Sequence, residues 1–290
     1  MENYDDILET KAKKQPAFNK DEWVAQKKKE RQMVFDMVND AAVGFMQSQD
    51  KLRDYLEVQA RFQHFSVSNA ILVAVQKPRA TRLEKFEEWK NDNITINKGE
   101  KAILILAAGK EFTKKDGSVG VDYTVEHYFD VSQTNFKGKV PGIVKRDEKL
   151  LLTALVSDSP CDINTYDGKP TDLPVEYVHA ERKIMVKRGL KMPELFQDLA
   201  IELAHSILAE KKSSYMRSDN AFYAKAAAYI VCVRYGIEPP QIEDPDGIVP
   251  EYPKESKLAL NKVRTVANQV SASIDRYFDE PAQDKPVQRT

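Results

Sequence analysis

The chain of 290 residues has few cysteines and no long apolar run. Its two cysteines, Cys161 and Cys232, show no CxxC spacing, so the sequence indicates neither a zinc knuckle nor a disulfide framework. No apolar run approaches the roughly 18 to 20 residues of a membrane span. The N-terminus is acidic where a signal peptide would be basic and then apolar. These absences predict a cytoplasmic protein with free thiols and no membrane contact.

The sequence also lacks an excess of charge of either sign. Its formal net charge is -1, which argues against a protein that coats nucleic acid with its whole surface. Residues 61–115 depart from this balance, because they hold 11 Lys or Arg against 6 Asp or Glu, a local net charge of +5. Aromatic residues are interspersed in the same stretch: Phe62, Phe65, Phe86, Trp89 and Phe112. This coincidence agrees with nucleic-acid binding without establishing it.

Apolar residues three and four positions apart predict most of the helices. The first begins after Asp21, where Lys27, Lys28, Lys29 and Arg31 precede the apolar stripe and are read mainly as a solvated face. A second stretch, 52–76, is interrupted near 66–68 and ends before Pro78. Further helices are predicted at 81–90, with Leu83, Phe86 and Trp89 buried, and at 193–209, 218–235 and 255–278.

Strands are predicted at 102–106, 121–131, 175–178 and 184–186, the second by strict alternation of apolar and polar residues. A turn signal, Lys115-Asp116-Gly117, makes the first two an antiparallel pair. The length suits about two domains. We therefore predict an α+β chain, with N-terminal helices on a small antiparallel sheet followed by a helix-rich domain with a short sheet. The predicted parts are a flexible N-terminus at 1–20, domains at 21–136 and 150–278, a linker at 137–149, and a disordered tail at 279–290.

Five separated blocks resemble the N-terminal domain of the ArdC family, antirestriction and conjugation-associated proteins of mobile elements that include LtrC-like proteins. The blocks, in family order and spacing, are FSVSNAIL from Phe65, QKPRAT from Gln76, FEEW from Phe86, KGEKAI from Lys98 and FDVSQT from Phe129. The resemblance implies sequence-nonspecific binding of single-stranded DNA by 21–136.

Such binding needs a positive groove for phosphates and exposed aromatic faces for the bases. The candidate DNA-binding residues are Phe65, Ser66, Asn69, Arg79, Arg82, Trp89, Lys90, Lys98, Lys101 and Gln133, with Tyr123 and Tyr128 as further aromatic candidates. Trp89 fits a core position as well as a base platform, because tryptophan is often buried. Ser66, Asn69 and Gln133 suit caps of local backbone as well as contacts to DNA.

The segment 196–210 with 220–237 is similar to the zincin-like metallopeptidase domain that follows in the same family. A zincin carries two metal-binding histidines at i and i+4 of a helix and a glutamate base at i+1. Here the corresponding residues are Ile201-Glu202-Leu203-Ala204-His205, so the first ligand is replaced by Ile201. Lys225 stands where the family pattern has an acidic ligand. We therefore expect Glu202 and His205 to be remnants of a degenerate site, with no bound metal, no cofactor and an ion pair between Glu202 and Lys225.

The sequence thus predicts a single-stranded DNA-binding accessory of a conjugative or other mobile element, with a catalytically dead metallopeptidase-like domain. The alternative is a protein-interaction scaffold or antirestriction factor that docks a relaxase, another conjugation protein or a restriction enzyme. An active zinc metalloprotease is the least favoured interpretation, since catalytic zinc sites ordinarily have three protein ligands.

Overall fold

A computed structural model describes residues 19–113, 116–138, 140, 143, 145–168, 173–210, 212–242, 250 and 252–279. The predicted flexible N-terminus and disordered tail lie almost wholly outside these residues, as does Lys115 of the predicted turn. The architecture is α+β, as the sequence predicts: helices surround two separate three-stranded sheets. Of the helices in the described ranges, none combines the length and the apolar character that a bilayer crossing requires.

Three helices open the described chain: α1 (Lys20–Met46), α2 (Gln49–Arg61) and α3 (Val67–Gln76). Each follows a polar residue whose side chain accepts a hydrogen bond from an N–H group of the first turn, namely Asn19, Ser48 and Ser66. The stretch predicted at 52–76 is therefore two helices. The break lies at residues 62–66, slightly earlier than predicted.

The first sheet is antiparallel, with strand order β1-β3-β2. Its strands are β1 (Leu83–Lys85), β2 (Ile103–Thr113) and β3 (Val119–Asp130), and a short helix, α4 (Phe86–Asn91), follows β1. The helix predicted at 81–90 is wrong in its first part, because Leu83, Glu84 and Lys85 pair with β3. Phe86, predicted to be buried, is exposed.

Two amide side chains of α3 bind the backbone of β2. The amide of Asn69 accepts from N–H of Leu106 and donates to its carbonyl, both at 3.0 Å. The amide of Gln76 makes the same pair of bonds with Leu104, at 2.9 and 3.0 Å. Because these groups of β2 point away from β3, the two amides fix α3 along the outer side of the sheet.

The described residues of the second half form four α-helices and three strands: α5 (Glu148–Val156), β4 (Asp162–Tyr166), β5 (Val175–Val178), β6 (Lys183–Lys187), α6 (Glu194–Ala209), α7 (Ala221–Tyr235) and α8 (Pro253–Asp279). The sheet has the order β4-β6-β5, with β4 parallel and β5 antiparallel to β6. The predicted end of α7 is confirmed, since Gly236 takes a left-handed φ of 73° there. Helix α5 and strand β4 were not predicted from the sequence.

The two halves share one cluster of buried apolar side chains. Helix α2 packs against α7, and both α1 and α3 pack against α8. Tyr55 and Leu56 of α2, Ile230 of α7 and Val263 of α8 all belong to this cluster. The division into domains at 21–136 and 150–278 remains a prediction, and any such domains pack through a common core.

Candidate functional site

Glu202 lies on the buried side of α6, with 2% of its surface exposed. Its carboxylate accepts a hydrogen bond from the backbone N–H of Tyr177 in β5 at 2.8 Å. Both carboxylate oxygens also contact the guanidinium of Arg217, with Nη1 at 2.6 Å from Oε2 and Nη2 on Oε1. A buried carboxylate requires such partners, because an unpaired charge is costly away from water.

The hypothesis of an ion pair between Glu202 and Lys225 needs correction, since the structure pairs Glu202 with Arg217. Arg217 precedes the 3₁₀ turn Ser218–Asn220, in the segment that connects α6 to α7. Lys225 lies one turn inside α7. The connecting segment thus places Arg217 next to α6. The spacing of residues in the helical motif does not predict the position of this segment.

His205 lies one turn after Glu202 and is 1% exposed. Its Nδ1 shares a hydrogen bond of 2.5 Å with the hydroxyl of Tyr215. Burial lowers the pKa of His205 to about 3, and the positive charge of Arg217 contributes in the same direction. Burial also raises the pKa of Tyr215. A neutral imidazole therefore meets a neutral phenol. We call Glu202, His205, Tyr215 and Arg217 the Glu202 cluster.

The Glu202 cluster contains two groups that bind metals in other proteins, Glu202 and His205. The side chain of Ile201, at the position of the first zincin ligand, supplies no donor atom. Within the described ranges, no three His, Cys, Asp or Glu side chains are grouped so that they could hold a metal ion. Three donors engage the carboxylate of Glu202, and two of them belong to the guanidinium of Arg217.

Several predicted DNA-binding residues hold the first half together instead of facing solvent. Trp89 is 0% exposed, and its indole N–H donates to the carbonyl of Phe129 at 3.0 Å. The prediction of Trp89 as a base platform is therefore corrected: it is a core residue. Gln133 is also buried and bonds to Glu100 and to the carbonyl of Lys101. Asn69 binds β2 as described above.

Phe65 stacks on Phe62, with ring centroids 5.0 Å apart, and Ser66 caps α3. The guanidinium of Arg82 lies over the ring of Trp89 and pairs with Glu84 and Asp92. The other predicted cations are exposed: Arg79, Lys90, Lys98 and Lys101. They come from three segments: Arg79 lies between α3 and β1, Lys90 lies in α4, and Lys98 and Lys101 precede β2.

A groove with aromatic and basic walls lies elsewhere, between the first turns of α1 and the middle of β3. Its volume is about 490 Å³. Six of its lining residues carry aromatic or charged groups: Trp23, Lys27, Lys28, Arg31, Asp122 and Tyr123. We call this feature the α1–β3 groove. Trp23 is 50% exposed and Tyr123 is 37% exposed.

Contacts between α1 and β3 shape this groove. Nη1 of Arg31 bonds to Asp122 at 2.5 Å and to the carbonyl of Tyr123 at 3.3 Å. The ring of Tyr123 meets Phe35 edge to face, with centroids 6.1 Å apart. Arg31 thus neutralises the carboxylate in the wall. The lysines of α1 are visible in the sequence, and Tyr123 was among the aromatic candidates for DNA binding. The sequence does not show that α1 lies beside β3.

The chain is similar to the Mn(II)-bound crystal structure of antirestriction protein ArdC from plasmid R388, with a TM-score of 0.50. The identity is 14%, and the match covers 71% of this chain and 84% of ArdC. The chain has the fold of ArdC. The resemblance seen in the sequence is thus confirmed at the level of the fold.

Three further comparisons gave weaker or no similarity. The metal-free structure of R388 ArdC aligns with a TM-score of 0.47 and 17% identity, over 76% of this chain and 86% of ArdC. An uncharacterized Bacillus anthracis protein, pXO2-81, is 23% identical over 322 residues. That match covers 90% of this chain and 54% of the relative, so the chain spans about half the length of the curated relative that it matches. No family model matches.

Proposed function

We propose that this ArdC-like chain binds single-stranded DNA without sequence preference, through the α1–β3 groove. The observation that carries the proposal is the position of two exposed aromatic rings, Trp23 and Tyr123, in a groove beside Lys27 and Lys28. Aromatic rings bind unstacked bases, and each stacked base contributes about 1 to 3 kcal/mol. Lysines beside them bind phosphates as point charges.

The choice of single strands follows from the aromatic walls. In a duplex the faces of the bases are already stacked on one another, whereas a single strand can offer them to Trp23 and Tyr123. The charges in the groove are compatible with a polyanion, since Arg31 pairs with Asp122 at 2.5 Å. Lys28 is exposed. Lys27 is exposed too and pairs with Glu30 at 2.7 Å, an ion pair that phosphate can replace at low free-energy cost.

Titration of labelled single-stranded and duplex oligonucleotides over a salt series tests the proposal. We expect single strands to bind more tightly and Trp23→Ala to weaken binding about tenfold or more. Lys28→Gln should weaken it and reduce the magnitude of the log–log salt slope by about 0.7. Tyr252→Ala and Lys149→Gln are matched controls, since both residues are exposed outside the groove.

Tryptophan fluorescence offers an independent measurement of binding, because Trp23 is half exposed and Trp89 is buried. In the Trp89→Phe variant, emission comes from Trp23 alone, and a single strand should quench it. If Trp23→Ala binds normally while Lys98→Gln with Lys101→Gln does not, the surface first predicted from the sequence is the correct one. No binding of single strands at low salt would refute the function itself.

We further propose that the second half has no peptidase activity. Support comes from Ile201 at the first ligand position and from Glu202, whose oxygens are bound by Arg217 and by the N–H of Tyr177. A zincin base needs a carboxylate oxygen directed at the attacking water, and here donors of the chain occupy both oxygens of Glu202. R388 ArdC has been crystallised with Mn(II), so both Mn(II) and Zn(II) should be offered to this chain.

Elemental analysis after incubation with each metal should find far less than one ion per chain. A stoichiometry near one that His205→Ala removes, together with peptide cleavage that Glu202→Gln abolishes, would overturn this second proposal. The similarity to R388 ArdC and to pXO2-81 also supports a role in a plasmid or other mobile element, including antirestriction. Survival of unmodified plasmid DNA in cells that express a restriction enzyme, with and without this chain, measures that role.

A further inference from the structure

A polar pocket lies where the two halves meet, away from the α1–β3 groove and from the Glu202 cluster. It has a volume of about 200 Å³ and is lined by Gln63, His64, Arg234, Asn268 and Asp275. Gln63 and His64 come from the connection between α2 and α3, Arg234 from the last turn of α7, and the other two from α8. We call it the Arg234 pocket.

Among the described residues, the hydrogen-bond acceptors of the Arg234 guanidinium are two neutral oxygens. Nη1 donates to the hydroxyl of Ser271 at 3.0 Å, and Nη2 donates to the amide oxygen of Asn268 at 2.7 Å. Its Nε is buried and has no hydrogen-bond partner. A buried cation without a counter-charge costs free energy, and natural proteins pair such groups.

A second arginine in the same region also has a buried Nε atom that makes no hydrogen bond. Nε of Arg264 is buried without a partner. Arg264 lies four residues before Asn268 on α8 and therefore on the same face of that helix. Its charge acts on Arg234, whose pKa is lowered to about 10, mainly by burial and further by Arg264. Two cations thus lie close together, and the Nε atom of each lacks a hydrogen-bond partner among the described residues.

One carboxylate faces the pocket. Asp275 accepts a hydrogen bond of 2.6 Å from the hydroxyl of Tyr235. Its charge acts favourably on Arg234, yet among the described side chains no ion pair joins it to either arginine. Of the lining residues, Arg234 is a cation and Asp275 an anion, and the positive charge of Arg264 acts on Arg234 from outside the lining. His64, at the exposed side of the pocket, lies 3.3 Å from the amide of Gln63 and adds a further polar group.

We propose that the Arg234 pocket binds a phosphate group. Arginine matches a tetrahedral oxyanion because its planar fork offers several donors at fixed positions. Once the side chain of Arg234 turns from Asn268 and Ser271, its Nη atoms can take phosphate oxygens, and the amides of Asn268 and Gln63 can donate as well. The phosphate comes either from solution or from the end of a nucleic-acid strand. The inference does not depend on the α1–β3 groove.

Titration of the full chain with inorganic phosphate at constant ionic strength tests the proposal. The unfolding temperature should rise by about 3 °C for each tenfold increase in phosphate above its Kd. Acetate at the same ionic strength should have little effect, because it offers two oxygens on a planar group. No response to phosphate, or an equal response to acetate, would overturn the proposal.

Asn268→Asp is the decisive variant, because it places a carboxylate where Arg234 now meets an amide oxygen. We expect it to raise the unfolding temperature in phosphate-free buffer and to abolish the phosphate response. Gln269→Glu is the matched control, since it makes the same change of charge at the next, exposed residue of α8. Equal phosphate responses in the two variants would contradict the assignment to this pocket.

Two further arms identify the source of the phosphate and separate the two proposals. If a strand end is the ligand, a 5′-phosphorylated oligonucleotide should bind more tightly than its 5′-hydroxyl counterpart, and Asn268→Asp should remove the difference. If free phosphate is the ligand, the two oligonucleotides should bind equally while the response to inorganic phosphate persists. Trp23→Ala should leave that response unchanged, so a failure of the groove does not affect this test.

Discussion

Arg217 places one positive charge beside two residues of α6. Its guanidinium holds both oxygens of Glu202, and its charge helps to keep His205 neutral by lowering the pKa of that imidazole. A metal ion in a zincin acts on its surroundings with the same sign of charge. In the Glu202 cluster, the cation next to Glu202 and His205 is a side chain of the protein itself.

Removing only the cation should strongly destabilise the fold. Arg217→Met leaves the carboxylate of Glu202 buried without its partner, which costs about 3 kcal/mol of unfolding free energy. Glu202→Gln combined with Arg217→Met should cost less than the sum of the single changes. Urea unfolding measures all three variants. Arg188→Met, which breaks an exposed pair with Asp167 at 3.4 Å, is the control and should cost less than about 1 kcal/mol.

The depressed pKa of His205 predicts how stability depends on pH. The ordinary pKa of histidine is 6.5 and the folded value is about 3, so the unfolded chain takes up a proton here that the folded chain does not. The stabilising contribution is complete above pH 6.5 and is lost as the pH falls towards 3. Relative to His205→Gln, the native chain should lose about 1.4 kcal/mol per pH unit below about pH 6.

Urea unfolding at several pH values between 7.5 and 4.5 measures this difference. A profile for His205→Gln that runs parallel to that of the native chain would show that His205 is not held neutral by the fold.

The contact of α3 with β2 shows that polar residues in the sequence blocks that resemble the ArdC family can stabilise the fold. Asn69, a candidate for DNA contact, bonds to both backbone groups of Leu106. Asn69→Ala should lower the unfolding free energy by about 1 to 3 kcal/mol, because it leaves a buried N–H and a carbonyl unpaired. The affinity of the folded variant for single strands and its salt slope should not change. Asn91→Ala, at an exposed position, is the control for stability.

The elements that were predicted correctly from the sequence are determined by the spacing of nearby residues. The stripe of Val34, Val38 and Phe45 needs only helical spacing to place one face of α1 in the core. In contrast, β1 has three residues and owes its conformation to β3, which lies more than forty positions later. Strand β4 was missed for a similar reason, because its partner β6 supplies the pairing.

The features of the candidate sites also differ in whether they depend on local sequence or on tertiary contacts. The resemblance to the zincin pattern, with Ile201 at the position of its first ligand, can be read directly from the sequence and stays a prediction. The partner of Glu202 cannot, because the segment around Arg217 has no periodic pattern and its position depends on tertiary packing. The burial of Trp89 and the groove at Trp23 depend equally on which helix meets which strand.

The common core makes the two halves dependent on each other. Helix α2 packs on α7, and Lys257 of α8 donates to Asn39 of α1 at 2.8 Å. A truncated chain that ends at residue 138 would expose the apolar faces of α1, α2 and α3 that α7 and α8 now cover. We expect such a fragment to be aggregated or loosely folded, as judged by size-exclusion chromatography and near-UV circular dichroism.

Co-expression of the truncated chain with residues 145–290 should restore a soluble complex, because the shared core can then form between two polypeptides. A truncated chain that is monomeric and unfolds cooperatively by itself would show that the first half has a sufficient core of its own. It would also support the predicted boundary at 137–149.

The amides of Asn69 and Gln76 also limit how this molecule can associate with others. The outer side of an exposed strand can accept a strand from a neighbouring polypeptide, which is a common route to aggregation and to recognition of extended peptides. At Leu104 and Leu106 the required N–H and carbonyl groups are already bound to α3. The first sheet is therefore closed to strand addition along this part of β2 for as long as α3 stays in place, and displacement of α3 would open it.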